Sequence, residues 1–135
     1  MQKSLNDVAN FMKRQRIASF ATVDTENKPH VVPVWFTYDD GKVFVQTDRK
    51  SVKVRNIKKN NSVAIAVYSA EEAVIIRGEA QIIRDEEEFV KRTRQHISKY
   101  NLKLDEQGRD SMGIPLYNSE VRCVVEITPK KTVFW

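Results

Sequence analysis

Apolar residues along the chain recur at two periods, and the changes between them mark out the elements. Leu5, Val8, Ala9 and Met12 repeat at helical spacing behind Ser4 and Asp7, which are placed as a capping box. This predicts a helix over about 4–14. The period then falls to two. "IASFATV" (17–23), "HVVPVWFTY" (30–38) and "KVFVQT" (42–47) are rich in β-branched and aromatic residues and are divided by the turn signals "DTENKP" and "DDG". They read as a three-strand meander. "SVAIAVYS" (62–69) and "AVIIRGEAQIIR" (73–84) predict two more strands, with Gly78 marking a bulge or sharp bend in the second. Asp85 and Glu88 cap a helix whose Phe89, Thr93, Ile97 and Tyr100 share a face, with His96 expected on its exposed part. Residues 101–119 are polar, carry Gly and Pro, and read as a long loop. "EVRCVVEIT" (120–128) and "KTVFW" (131–135) are final strands split by Pro129.

The sum is six or seven strands with two or three peripheral helices. Consecutive hairpins imply a mainly β, α+β fold whose antiparallel sheet closes into a small barrel. A length of 135 residues without a linker or repeat fits one domain, 1–135. No apolar run approaches the roughly 18 residues of a membrane span, and "MQKSLNDVANFMKRQR" lacks a signal peptide's apolar core, so a cytoplasmic location is expected. One cysteine excludes an internal disulfide. Neither Cys123 nor His30 and His96 has metal-ligand spacing, so no metal site is expected. Chemistry is then expected to come from something bound.

The net charge of +5 suits an anionic partner, a phosphate-bearing cofactor or a nucleic acid. The charge peaks in "TDRKSVKVRNIKKN" (47–60), directly after a strand. Ser51 is an N-cap candidate, and Val54 and Ile57 lie three apart on the buried side of a short helix. A helix N-terminus receives phosphate well, with Lys53 in the first turn, hydroxyls on Thr47 and Ser51, and Arg55 one turn on. The same charges also fit a solvated helix face, and local sequence leaves both readings open. Pro33 in mid-strand removes a ladder N–H and predicts an edge or interrupted strand. At least one of Trp35 and Phe36 belongs to the core, because alternate strand residues face opposite sides. Cys123 reads as core. His30 is a proton donor or a strand-end histidine, and Tyr68 is a candidate pocket wall.

Four ordered segments, "IASFATVDTENKPHVVPVWFTYDDGKVFVQT", "SVKVRNIKKNNSVAIAV", "IIRGEAQII" and "VVEITPKKTVFW", resemble the flavin-binding split-barrel superfamily that includes pyridoxamine 5′-phosphate oxidase. The resemblance implies a split β-barrel that dimerises, with FMN in clefts at the subunit interface. It places phosphate contacts on Thr47 and Lys53, with Gln46, Ser51 and Val52 beside them, which favours the phosphate reading of the basic run. It sets the strand of Val32, Pro33, Val34 and Trp35 along the flavin ring. Trp135 then either stacks on the partner's cofactor or packs in the interface.

The resemblance implies hydride transfer at the flavin, exchanged with a small-molecule electron donor or acceptor, without a protein nucleophile; no catalytic side chain is assigned. The sequence stops at Trp135, short of the C-terminal segment that holds substrate in true pyridoxamine phosphate oxidases, so that activity is not expected. "PVWF" and "KVRNI" also resemble the branch using an 8-hydroxy-5-deazaflavin coenzyme, and haem-associated relatives exist. FMN is preferred, with the deazaflavin as the alternative. A nucleic-acid-binding barrel, which would need exposed aromatics beside its charge, is disfavoured.

Overall fold

The computed structural model describes residues 3–135; Met1 and Gln2, the start of the expected domain, lie outside the described residues. Ser4 and Asp7 close the capping box in both directions, at 3.1 and 2.9 Å. They start α1 (Leu5–Arg14), which buries Val8, Phe11 and Met12. The strands are β1 (Ala18–Val23), β2 (Pro29–Val34), β3 (Thr37–Asp39), β4 (Lys42–Asp48), β5 (Ser62–Tyr68), β6 (Ala73–Ile82) and β7 (Arg122–Phe134). Helix α2 (Val52–Lys59) follows β4, and α3 (Glu86–Lys99) follows β6.

All pairings are antiparallel, and the strand order is β2-β1-β5-β6-β7-β4-β3. The sheet curls into a split half-barrel around Phe20, Phe36, Val43, Val45, Ile65, Ile76, Cys123, Val125 and Ile127. Cys123 is therefore core. Val54 and Ile57 bury one side of α2 as their spacing predicts, and Asn56 Nδ2 donates to Thr22 Oγ1 at 3.0 Å, fastening that helix to β1.

Two expectations are corrected. The strand expected over 30–38 breaks after Val34, so the meander is instead two hairpins, β1–β2 and β3–β4, at opposite ends of the sheet order. The break is tolerated because α3 supplies what the ladder no longer does. The Tyr100 hydroxyl accepts from Phe36 N–H at 2.9 Å, and Lys99 Nζ donates to Phe36 O at 2.9 Å. Trp35 and Phe36 thus bridge the two edges. Phe36 is fully buried and Trp35 is 46% exposed.

The second correction concerns Pro129, which does not split the last strand. It sits opposite Gly78 at a register shift, where β7 carries one residue more than β6. The bulge accommodates a residue without a ladder N–H. A Cβ on Gly78 would collide with the carbonyl oxygen of Thr128, which explains the glycine there. Among the described residues, no helix is long and apolar enough to cross a membrane.

Candidate functional site

One cavity of about 320 Å³ gathers Pro33, Val34 and Trp35 from the end of β2, Gln46 and Thr47 from β4, and Lys53 from α2. These residues lie up to 20 positions apart in sequence, and the β2–β3 crossing brings them together. The remaining wall comes from His96 of α3, Arg122 of β7, and the 101–119 loop through Leu102, Asp110, Met112, Ile114 and Leu116.

Lys53 and Arg122 define the cationic end. Both are half-buried. Burial is the main cause lowering the pKa of each, and the nearby Arg122 charge lowers that of Lys53 further. Among the described residues neither stands within ion-pair distance of a carboxylate. Gln46 is occupied with positioning. Its Oε1 accepts from Arg122 Nε and Nη2 at 3.0 and 2.8 Å, and its Nε2 donates to Leu116 O at 2.6 Å. It therefore aims the guanidinium and pins the loop at once.

The loop is held by its own chemistry. Asp105 and Asp110 each accept backbone N–H groups two and four residues on, forming tight polar turns. Arg49 Nε donates to Ser119 O at 2.9 Å and ties the loop to the end of β4. Trp35 and His96 add aromatic surface to the lining, with Tyr100 behind them. Trp35 stacks on Tyr100 with ring centroids 4.5 Å apart, and His96 leans against both.

The other expected contacts are distributed differently. Val32 is half-buried and Val52 exposed, and neither lines the cavity. Ser51 is the N-cap of α2, but its Oγ makes no capping bond and is buried without a partner. Arg55 is exposed and does not line the cavity. Trp135 is 66% exposed and edges a separate groove with Tyr68. His30 sits half-buried in β2, outside the cavity.

His96 and Arg122 were not legible as site residues. His96, expected on an exposed face, is 6% exposed, because the Trp35 junction folds against α3. Arg122 opens β7 just ahead of the apolar run Cys123–Val125, and only the register of Asp48 with Arg122 shows that it stands beside the end of β4. Among the described residues, no group of three or more His, Cys, Asp or Glu side chains is placed to hold a metal ion.

The donor set fits a phosphate-bearing planar ligand: two cations outside ion-pair distance of a carboxylate among the described residues, the Thr47 hydroxyl, and flat apolar surface in one lining. The fold is shared with solved proteins. Conserved hypothetical protein Rv2991 from Mycobacterium tuberculosis is 20% identical, with a TM-score of 0.84 over 100% of this chain and 86% of that one. An F420 reductase is 22% identical, with a TM-score of 0.72 over 92% and 94%. The heme storage protein HutZ from Vibrio cholerae is 16% identical, with a TM-score of 0.76 over 99% and 94%. No curated protein sequence matches the chain. The sequence profile described as pyridoxamine 5′-phosphate oxidase matches residues 5–135, and the chain belongs to that family.

Proposed function

We propose that the chain binds FMN in this cavity and works, as a homodimer, as a flavin-dependent oxidoreductase. The observation that carries the reading is the pair Lys53 and Arg122, two half-buried cations facing one cavity and, among the described residues, outside ion-pair distance of any carboxylate. Such a pair is held at a cost until an anion neutralises it. A phosphate does so bidentately at Arg122 and as a point charge at Lys53, with the Thr47 hydroxyl and the N-terminus of α2 beside it.

The ring of the cofactor then runs along Pro33, Val34 and Trp35. When bound, FMN supplies hydride acceptance and donation. The chain's own residues bind and orient it: Gln46 keeps Arg122 aimed, and Ile114 and Leu116 exclude water. The small-molecule electron donor or acceptor enters from the open side.

The homodimer is supported by the outer face of the sheet. A cross-strand row from Pro33 through Ser19, Ala66 and Ile75 to Val133 carries no charge and begins at the cavity rim. Val31, Tyr68, Val133 and Trp135 stand exposed around it. Self-association covers this face, and Trp135 belongs to that interface.

The test is an absorption spectrum after excess FMN is added and the unbound fraction removed, with the mass measured by light scattering. Flavin bands at about one FMN per chain in a dimer support the reading. No retained flavin overturns it, and a monomer that retains FMN overturns the interface. The likeness to an F420 reductase is one of fold, so the deazaflavin is the competing occupant, and displacement of one by the other decides. Single-strand binding that falls steeply with salt would instead assign the exposed Arg55, Lys58 and Lys59 to nucleic acid.

A further inference from the structure

The cavity lining holds a histidine that the flavin reading has not used. His96 lies on the buried side of α3 and lines the cavity with Trp35 and Arg122. Its ring is tilted against Trp35 at 6.0 Å and Tyr100 at 5.2 Å, centroid to centroid. Packing therefore fixes the ring plane and the direction of its two nitrogens. Nδ1 is sealed from solvent and has no hydrogen-bond partner. Nε2 is not among the sealed atoms and makes no hydrogen bond to the described residues, so it is the nitrogen left to face the cavity that His96 lines.

The surroundings keep this ring uncharged. Burial is the main cause, Arg122 and Lys99 add repulsion, and Asp110 opposes them, so the pKa falls from 6.5 to about 4. Those charged neighbours come from β7, from α3 itself and from the 101–119 loop, and Lys53 lines the same cavity. From the β2–β3 junction comes only the uncharged Trp35. A neutral imidazole carries one N–H. A sealed N–H without an acceptor costs more than a sealed lone pair, and such orphaned donors are rare. The proton therefore sits on Nε2 and points into the cavity.

Resting on the FMN reading, we propose that His96 is the uncharged hydrogen-bond donor of this site, presenting Nε2–H to a carbonyl-type acceptor on the edge of the bound heteroaromatic ring. The cavity is then divided by charge. Lys53 and Arg122 take the phosphate, and His96 recognises a neutral oxygen without drawing a second anion to the ring end. An analogue whose ring lacks that acceptor leaves a buried donor unpaired and is selected against.

The test titrates FMN into wild type, His96→Gln and His96→Leu, reading flavin fluorescence and band position, with thermal unfolding of each ligand-free protein. Gln keeps an N–H at similar reach, whereas Leu fills the space without one. Affinity within about 3-fold of wild type is expected for His96→Gln, and a loss of about 10-fold for His96→Leu, the size of one hydrogen bond. The flavin band position of wild type should be kept by Gln and lost by Leu. His96→Leu binding as tightly as His96→Gln with unchanged bands overturns the assignment while leaving the FMN reading intact. Wild type that retains no FMN overturns that reading and the ring acceptor with it. Nitrogen-15 NMR of the imidazole tests the donor without any ligand: a neutral Nε2–H tautomer is expected at about pH 6. An Nδ1–H tautomer or a charged ring there overturns it.

Discussion

Arg92 on α3 and Lys53 on α2 are both cations withdrawn from water, and their surroundings are opposite. Arg92 is 5% exposed, yet its guanidinium meets Asp39 at 2.7 Å, Glu88 at 3.0 Å and Gln95 at 3.1 Å, and lies 3.9 Å over the Phe44 ring. Burial lowers its pKa, but these partners outweigh it and the net direction is upward. Lys53 is less buried, and burial and the Arg122 charge outweigh the pull of Asp48, so its pKa is lowered. A satisfied buried charge belongs to the framework. An uncompensated one is held for something that arrives.

The comparison breaks most sharply at Arg92. Arg92→Ala removes the stacking on Phe44 and the bonds to Asp39 and Glu88, and should cost about 3 kcal/mol of stability in chemical denaturation. FMN affinity of the folded fraction should be unchanged. If flavin binding falls while stability holds, Arg92 is no framework residue.

Acid should act through His96. Its pKa is about 4 in the folded chain against 6.5 as the ordinary value. The unfolded chain therefore binds more protons within that window, and stability falls as pH falls through it. About 3 kcal/mol should be lost on this account by the time the pH has passed below both values, and the slope should flatten in His96→Gln. An equally steep acid limb in the variant would place the titration elsewhere.

Lys53→Ala should raise the FMN dissociation constant about 30-fold, the worth of a charge-assisted contact. Because it removes a repelled, partly desolvated cation, ligand-free stability should stay level or rise slightly. Lost stability with unchanged affinity would make Lys53 another Arg92. The smallest effects belong to Arg55→Ala and Lys58→Ala, whose side chains are exposed. FMN affinity should change by less than about 2-fold in each, and a larger loss would extend the phosphate site along α2.

Much of this was legible in the sequence because it depends on neighbours along the chain. The Ser4–Asp7 box, the burial of Val54 and Ile57, and the bulge at Gly78 follow from local spacing. The pairing of "VPVW" with the segment holding Thr47 and Lys53 came instead from the family resemblance of the four segments. Pro33 marked the strand that runs along the sheet edge and then stops. The break at Trp35 and Phe36 was not legible. The groups that satisfy its backbone, Tyr100 and Lys99, lie more than sixty residues away.

The sequence by itself determined most of the elements, the antiparallel α+β class and the basic run, since periodicity and turn chemistry act over a few residues. Only the tertiary structure decided which of those charges matter. It buried Lys53 beside Arg122 and left Arg55 in water, and it satisfied Arg92 across the barrel through Asp39. It also turned His96 inward against Trp35. The worth of a charge is set by the dielectric and the partners around it, and for these residues both are supplied by segments remote in the chain.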